Sequence, residues 1–189
     1  MLGWELPPKF AGGVGIVADA LLRTLAERGH EMTYLMPNRF GAPGPAGVRI
    51  LEPIAQPNGA TLPSRLVGYA GTRPAIRVPG EDAPPSGSAL YGPDLLVEVD
   101  RFAASAVERV RAAAIELDVI HAHDWTTFRA GLALRAATGR PFVAHVHITE
   151  FDKSGGQHAD PTIYAIEREG LVAADCVVAV SRRIATTCV

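Results

Sequence analysis

Apolar residues at Val14, Val17, Ala18, Leu21, Leu22 and Leu25 share one stripe at helical spacing, and Gly29 closes the run, which predicts a helix over Val14–Arg28. Glu31–Met36 reads as a buried strand stopped by Pro37. From Asn38 to Pro93 glycine and proline break every period. Short β-like pieces are expected there near Val48–Leu51, Arg65–Tyr69 and Ala75–Val78, and Glu81–Gly92 reads as a surface loop. Regularity then returns, with a helix from Pro93 to about Ile115 and a strand at Asp118–His121. A helix at Thr126–Thr138, a strand at Pro141–Val146, a helix at Pro161–Ala173, a strand at Asp175–Val180 and a helix from Arg182 follow. Runs of Val, Ile and Ala alternating with amphipathic helices predict an α/β fold: a parallel sheet of about six or seven strands with helices on both faces. Met1–Trp4 leaves room for only a short first strand, and the helix begun at Arg182 stops without a cap, so a piece of a longer protein is expected.

Composition narrows the class. The 189 residues, 48% hydrophobic and 20% charged, suit one globular domain. A net charge of −2, with arginines scattered rather than clustered, offers no general attraction for nucleic acid. No apolar run nears the ~20 residues that span a bilayer. Cys176 and Cys188 fit reduced thiols better than a disulfide framework, so the cytoplasm is the expected compartment.

Ligands of parallel sheets bind beyond the carboxyl ends of the strands, which selects the residues with candidate chemistry. Gly12-Gly13-Val14-Gly15 opens the first helix, where backbone can approach a ligand closely and unpaired N–H groups favour an anion. The same residues also suit a plain turn. His121, His123, Asp124 and Trp125 leave one strand, and His145, His147 and Glu150 leave another. At period 2 each His-x-His pair shares a face. Imidazoles and a carboxylate so placed could ligate a metal, or hydrogen-bond sugar hydroxyls with Trp125 as an apolar face. Asp124 is a candidate helix cap, and so is Ser181. Phe151–Gly156 reads as a polar loop able to close over a ligand, with Lys153 facing either phosphate or solvent.

Together these pieces resemble a known pattern. Trp4-Glu5-Leu6-Pro7-Pro8, Gly12–Gly15 and Arg28–Thr33 are similar to the opening of retaining glycosyltransferases of the two-domain GT-B type, among them glycosyltransferase family 4 and the glycogen and starch synthases. Asp118–Trp125, Val146–Phe151, Ile166–Leu171 and Ala174–Ser181 resemble later stretches of the same family, in the same order. The resemblance spans most of the chain outside about Asn38–Gly92.

It implies a Rossmann-like N-terminal, acceptor-side domain over residues 1–189, with a C-terminal nucleotide-sugar domain absent from the chain. It also implies transfer of a hexose, glucose foremost, from a nucleotide sugar such as ADP-glucose, UDP-glucose or a GDP-sugar to a carbohydrate or other hydroxyl acceptor. On this reading Gly12, Gly13 and Gly15 face the donor diphosphate and His147 is the catalytic residue beside the donor sugar. His121, His123, Asp124, Trp125, Glu150 and Lys153 contact the acceptor or sugar. Neither metal nor cofactor is required, and the chain alone is expected to turn over little. One feature departs from true glycogen synthases: their loop lysine has no clear counterpart, since Lys9 lies three residues ahead of Gly12.

Three rivals remain. A dehydrogenase fits Gly13–Ala18 loosely, but Leu6–Gly12 separate that segment from its strand, and the next strand ends without the acidic residue such sites need. A metal-dependent hydrolase would use His121, His123, His145 and His147, and a non-catalytic carbohydrate-binding domain would need no second half.

Overall fold

The computed structural model describes residues 1–8, 12–39, 43–52 and 95–188. The pieces expected at Arg65–Tyr69, Ala75–Val78 and Glu81–Gly92 lie outside them. In chain order the elements are α1 (Gly13–Glu27), β1 (Met32–Leu35), β2 (Val48–Leu51), α2 (Leu95–Ala112), β3 (Ile120–His123), α3 (Trp125–Thr138), β4 (Phe142–Val146), α4 (Glu150–Lys153), α5 (Pro161–Ala173), β5 (Cys176–Ala179) and α6 (Arg182–Thr187).

β1 pairs with β2, and β3 with β4 and β4 with β5, all in parallel. Leu2 joins the two groups, bridging Leu35 on one side and Ala122 on the other. The sheet therefore runs β2, β1, Leu2 segment, β3, β4, β5. Counted from the amino terminus this is the 3-2-1-4-5-6 order of a doubly wound Rossmann sheet, with six parallel segments among the described residues. Its order reverses at the Leu2 segment, so a ligand crevice is due beyond that segment and β3.

Strand alternation divides the core. Leu35, Leu51, Ile120, Ala122, Phe142, Ala144 and Val146 pack under α2, α3 and α5 through Val99, Phe102, Phe128, Leu134, Ile163 and Ile166. Full burial of one such phenylalanine removes apolar surface worth roughly 2–3 kcal/mol from water. Tyr34 and Met36 point the other way and pack with Ala18 and Leu22 of α1. The Tyr34 ring lies so close to Gly3 that a Cβ there would sit 1.6 Å from its hydroxyl oxygen. That hydroxyl donates to the Glu5 carbonyl at 2.8 Å, and the Leu2 N–H donates to the His121 carbonyl at 2.7 Å, which fixes the amino-terminal segment in mid-sheet.

Three local outcomes differ from the sequence reading. The strand expected at Asp118–His121 runs two residues later, to His123, because its cross-strand partners on β4 extend to His145. Asp124 holds the N-cap position of α3 at φ 56° but makes no capping bond. The polar loop expected from Phe151 begins inside a one-turn helix, α4, whose N-cap Thr149 accepts from the Asp152 N–H. Ser181 does cap α6, accepting from the Ile184 N–H at 3.2 Å.

Candidate functional site

At the carboxyl edge of the sheet a cleft of about 500 Å³ is lined by Glu5, Gly12, Gly13, Val14, Val17, His147, Ile148, Lys153 and Val180. The walls come from strand exits and helix ends. Glu5 follows the Leu2 segment, the glycines begin α1, His147 follows β4, and Lys153 ends α4. Gly12 is extended, at φ −162°, so the glycines are not there for left-handed backbone. What they supply is room: a Cβ on Gly12 or Gly13 would meet nothing within 4 Å. Gly12, the N-cap of α1, makes no side-chain cap bond, and the positive end of the helix dipole lies at the cleft that Gly12 and Gly13 line.

His147 belongs to an array of four imidazoles on the α1 face of the sheet. The His121 and His123 rings stack at 4.8 Å, and His145 and His147 at 4.6 Å. Across the strands, His121 Nε2 lies 3.0 Å from His145 Nδ1 and His123 Nδ1 lies 2.9 Å from His147 Nε2. Burial, reinforced by neighbouring imidazoles, lowers His121 to about 3 and His147 to about 4, and holds His123 well below the ordinary value. Burial alone lowers His145. All four are neutral at physiological pH. His121, His123 and His145 also offer ring nitrogens within 4.8 Å of one another, a spacing that could hold a metal ion.

A second group of charges sits beneath α4. Asp124 is buried, and burial raises it to about 7 although its Oδ1 accepts the His147 N–H at 2.7 Å. Glu167 is buried on α5, and burial raises it to about 8 while its Oε1 accepts the Glu150 N–H at 2.8 Å. Glu150 Oε1 in turn accepts the Asp160 N–H at 3.3 Å. Lys153 is half-buried; desolvation lowers its pKa against the pull of Glu150, Glu167 and Asp124. These bonds fix α4, and α4 carries Lys153 to the cleft.

The structure thus brings Gly12, Gly13, His147 and Lys153 to one cleft. Gly15 is buried in α1. His123 and Asp124 lie behind His147 and hold its ring and its backbone. His121 faces a different cavity of about 360 Å³ at the opposite end of the sheet. Trp125 is packed in the main core, 3% exposed, and does not line the cleft. Glu150 anchors α4. Sequence reasoning assigned no role to Glu5 or Glu167. Glu5 directly follows the first strand, so the strand-end rule that selected the histidines selects it too. Glu167 had a fainter signal: a carboxylate one turn after Ile163, inside the buried stripe of α5.

A family model described as Glycosyltransferase Family 4 matches residues 11–188, nearly the whole chain. The chain belongs to glycosyltransferase family 4. Among curated proteins it is 26% identical over 174 residues to an uncharacterized glycosyltransferase of Methanocaldococcus jannaschii, a match covering 88% of this chain and 35% of the relative. The family 4 chain thus spans about a third of that relative's length. Among solved structures it resembles sucrose-phosphate synthase from Thermosynechococcus elongatus, with TM-score 0.64, 16% identity, and coverage of 93% of this chain and 38% of that one. It also resembles the catalytic domain of starch synthase IV from Arabidopsis thaliana, bound to ADP and acarbose, with TM-score 0.58, 13% identity, and coverage of 93% and 43%. At those identities the likeness is one of fold, and it is the GT-B glycosyltransferase fold. No helix among the described residues is long and apolar enough to cross a membrane.

Proposed function

We propose that this family 4 chain is the acceptor-side half of a retaining hexosyltransferase of the cytoplasm. It would move glucose from a nucleoside diphosphate sugar to a carbohydrate or other hydroxyl acceptor. The bond from the anomeric carbon to the diphosphate oxygen breaks, and a bond to the acceptor oxygen forms. The acceptor's proton and the nucleoside diphosphate are released. One observation carries this reading: the open glycine turn at the start of α1, His147 and Lys153 converge on a single cleft at the carboxyl edge of the sheet. Gly12, Gly13 and the α1 N–H groups suit the diphosphate, and Lys153 adds a positive charge as it leaves. His147 suits the donor sugar, and Glu5 can accept hydrogen bonds from sugar hydroxyls. On this reading a second domain supplies the nucleotide site, and turnover needs both halves. No step requires a metal.

The test is product formation from ADP-, UDP- and GDP-glucose with an oligosaccharide acceptor, using the full-length protein and its His147→Ala variant. A fall in kcat of about a hundredfold with little change in acceptor KM supports the assignment. Unchanged turnover removes His147 from it. A metal-dependent hydrolase is the second reading, favoured by the spacing of His121, His123 and His145. Stoichiometric zinc that survives dialysis and is lost on replacing His121 and His123 would establish it.

A further inference from the structure

Two imidazole nitrogens 2.9 Å apart hold one hydrogen between them, so of His123 Nδ1 and His147 Nε2 one donates and the other accepts. A neutral imidazole has a single N–H. The direction of this bond therefore decides which nitrogen of His147 carries hydrogen. Nε2 of His147 is turned to His123, which leaves Nδ1 as the ring's polar atom for the cleft that His147 lines.

His123 sets that direction. Its other nitrogen, Nε2, is buried with no hydrogen-bond partner among the described residues. A hydrogen on Nε2 would be an orphaned buried N–H, whereas a hydrogen on Nδ1 leaves only an under-used lone pair at Nε2. Orphaned buried donors are the rarer and costlier of the two. With its hydrogen on Nδ1, His123 donates to His147 Nε2, and His147 must hold its own hydrogen on Nδ1. The ring cannot readily turn to escape this, because it stacks on His145 and its backbone N–H is tied to Asp124. Burial keeps both rings unprotonated at neutral pH, so the contact holds one hydrogen rather than two.

We propose that His123 is a positioning residue that locks His147 as its Nδ1–H tautomer, so that His147 meets its ligand as a hydrogen-bond donor to an oxygen lone pair and not as a base. The ligand contact rests on the placement of His147 at the donor sugar; the tautomer does not.

Ring-15N-labelled histidine in the 189-residue chain, read by long-range 1H–15N correlation, tests the lock without turnover. The expected wild-type spectrum has pyrrole-type Nδ1 and pyridine-type Nε2 at both His123 and His147. His123→Leu should release His147 toward the Nε2–H form. In the full-length protein His123→Leu should lower kcat about tenfold, the loss of one oriented hydrogen bond, with acceptor KM within about twofold. His123→Asn, whose amide can donate in place of Nδ1, should restore part of that loss. An Nε2–H on His147 in the wild type overturns the proposal, and that measurement needs no variant to fold. So does an unchanged His147 tautomer in a folded His123→Leu chain, or a metal ion on His123 Nε2. If the tautomer is as stated but His147→Ala keeps full turnover, the placement of His147 at the donor sugar fails and the lock stands.

Discussion

Replacing Glu167 by glutamine should change how the stability of this chain depends on pH. The carboxyl is buried on α5, and burial raises it from 4.5 to about 8. A raised acid binds its proton more tightly in the folded chain than in the unfolded one, so between about pH 4.5 and pH 8 the folded state holds more protons and stability falls as pH rises. Each tenfold difference in proton affinity corresponds to about 1.4 kcal/mol, which sets an upper bound of ~5 kcal/mol on the cost of ionisation. That bound already includes the pull of Lys153; local relaxation and water penetration reduce it further, and a penalty on the order of 2 kcal/mol is expected above pH 8. Glutamine keeps an oxygen to accept the Glu150 N–H and carries no charge. Urea unfolding, followed by fluorescence of the buried Trp4 and Trp125, should show nearly equal stability for the two proteins at about pH 4, below the unfolded carboxyl's pKa. By about pH 9 the variant should be ahead by on the order of 2 kcal/mol. Parallel stability profiles across that range would refute the claim that Glu167 ionises against burial.

Gly13→Val should leave the fold intact, since its Cβ meets nothing within 4 Å, yet weaken nucleotide-sugar binding to the full-length protein at least about tenfold by calorimetry. Normal affinity would end the phosphate assignment. Gly131→Ala should cost about 1–3 kcal/mol in urea unfolding, because a Cβ there lies 2.5 Å from the buried Phe142 ring. A neutral effect would mean that the ring can move. Thr149→Ala should cost about 1 kcal/mol by removing the cap that bonds Asp152 in α4, and raise amide hydrogen exchange in that helix. Unchanged exchange would show that Glu167 holds α4 without it.

Helix periodicity and runs of buried-strand residues were sufficient to read α1, α2, α3, α5 and every strand from β1 to β5 to within a few residues, because those patterns follow from local geometry and burial. The short motifs at the strand ends, taken in order, resembled glycosyltransferase family 4, and the match over residues 11–188 agrees. Sequence alone could not say which polar side chains share a cleft. His121 and His147 are equally suggestive on paper, yet the sheet sends one to the far cavity and the other to the glycine turn. The strand at His121 had to lengthen to His123 before the imidazoles could pair across strands, since pairing is set by register with β4 and not by the strand's own residues. Trp125 looked like a sugar platform and became core because α3 starts directly at the strand end and turns it inward. Glu5 and Glu167 carried sequence signals that were not used, and it was long-range packing that buried their carboxylates. Local chemistry thus determined the elements and the family. Contacts between residues distant in the chain decided which of those residues make a site.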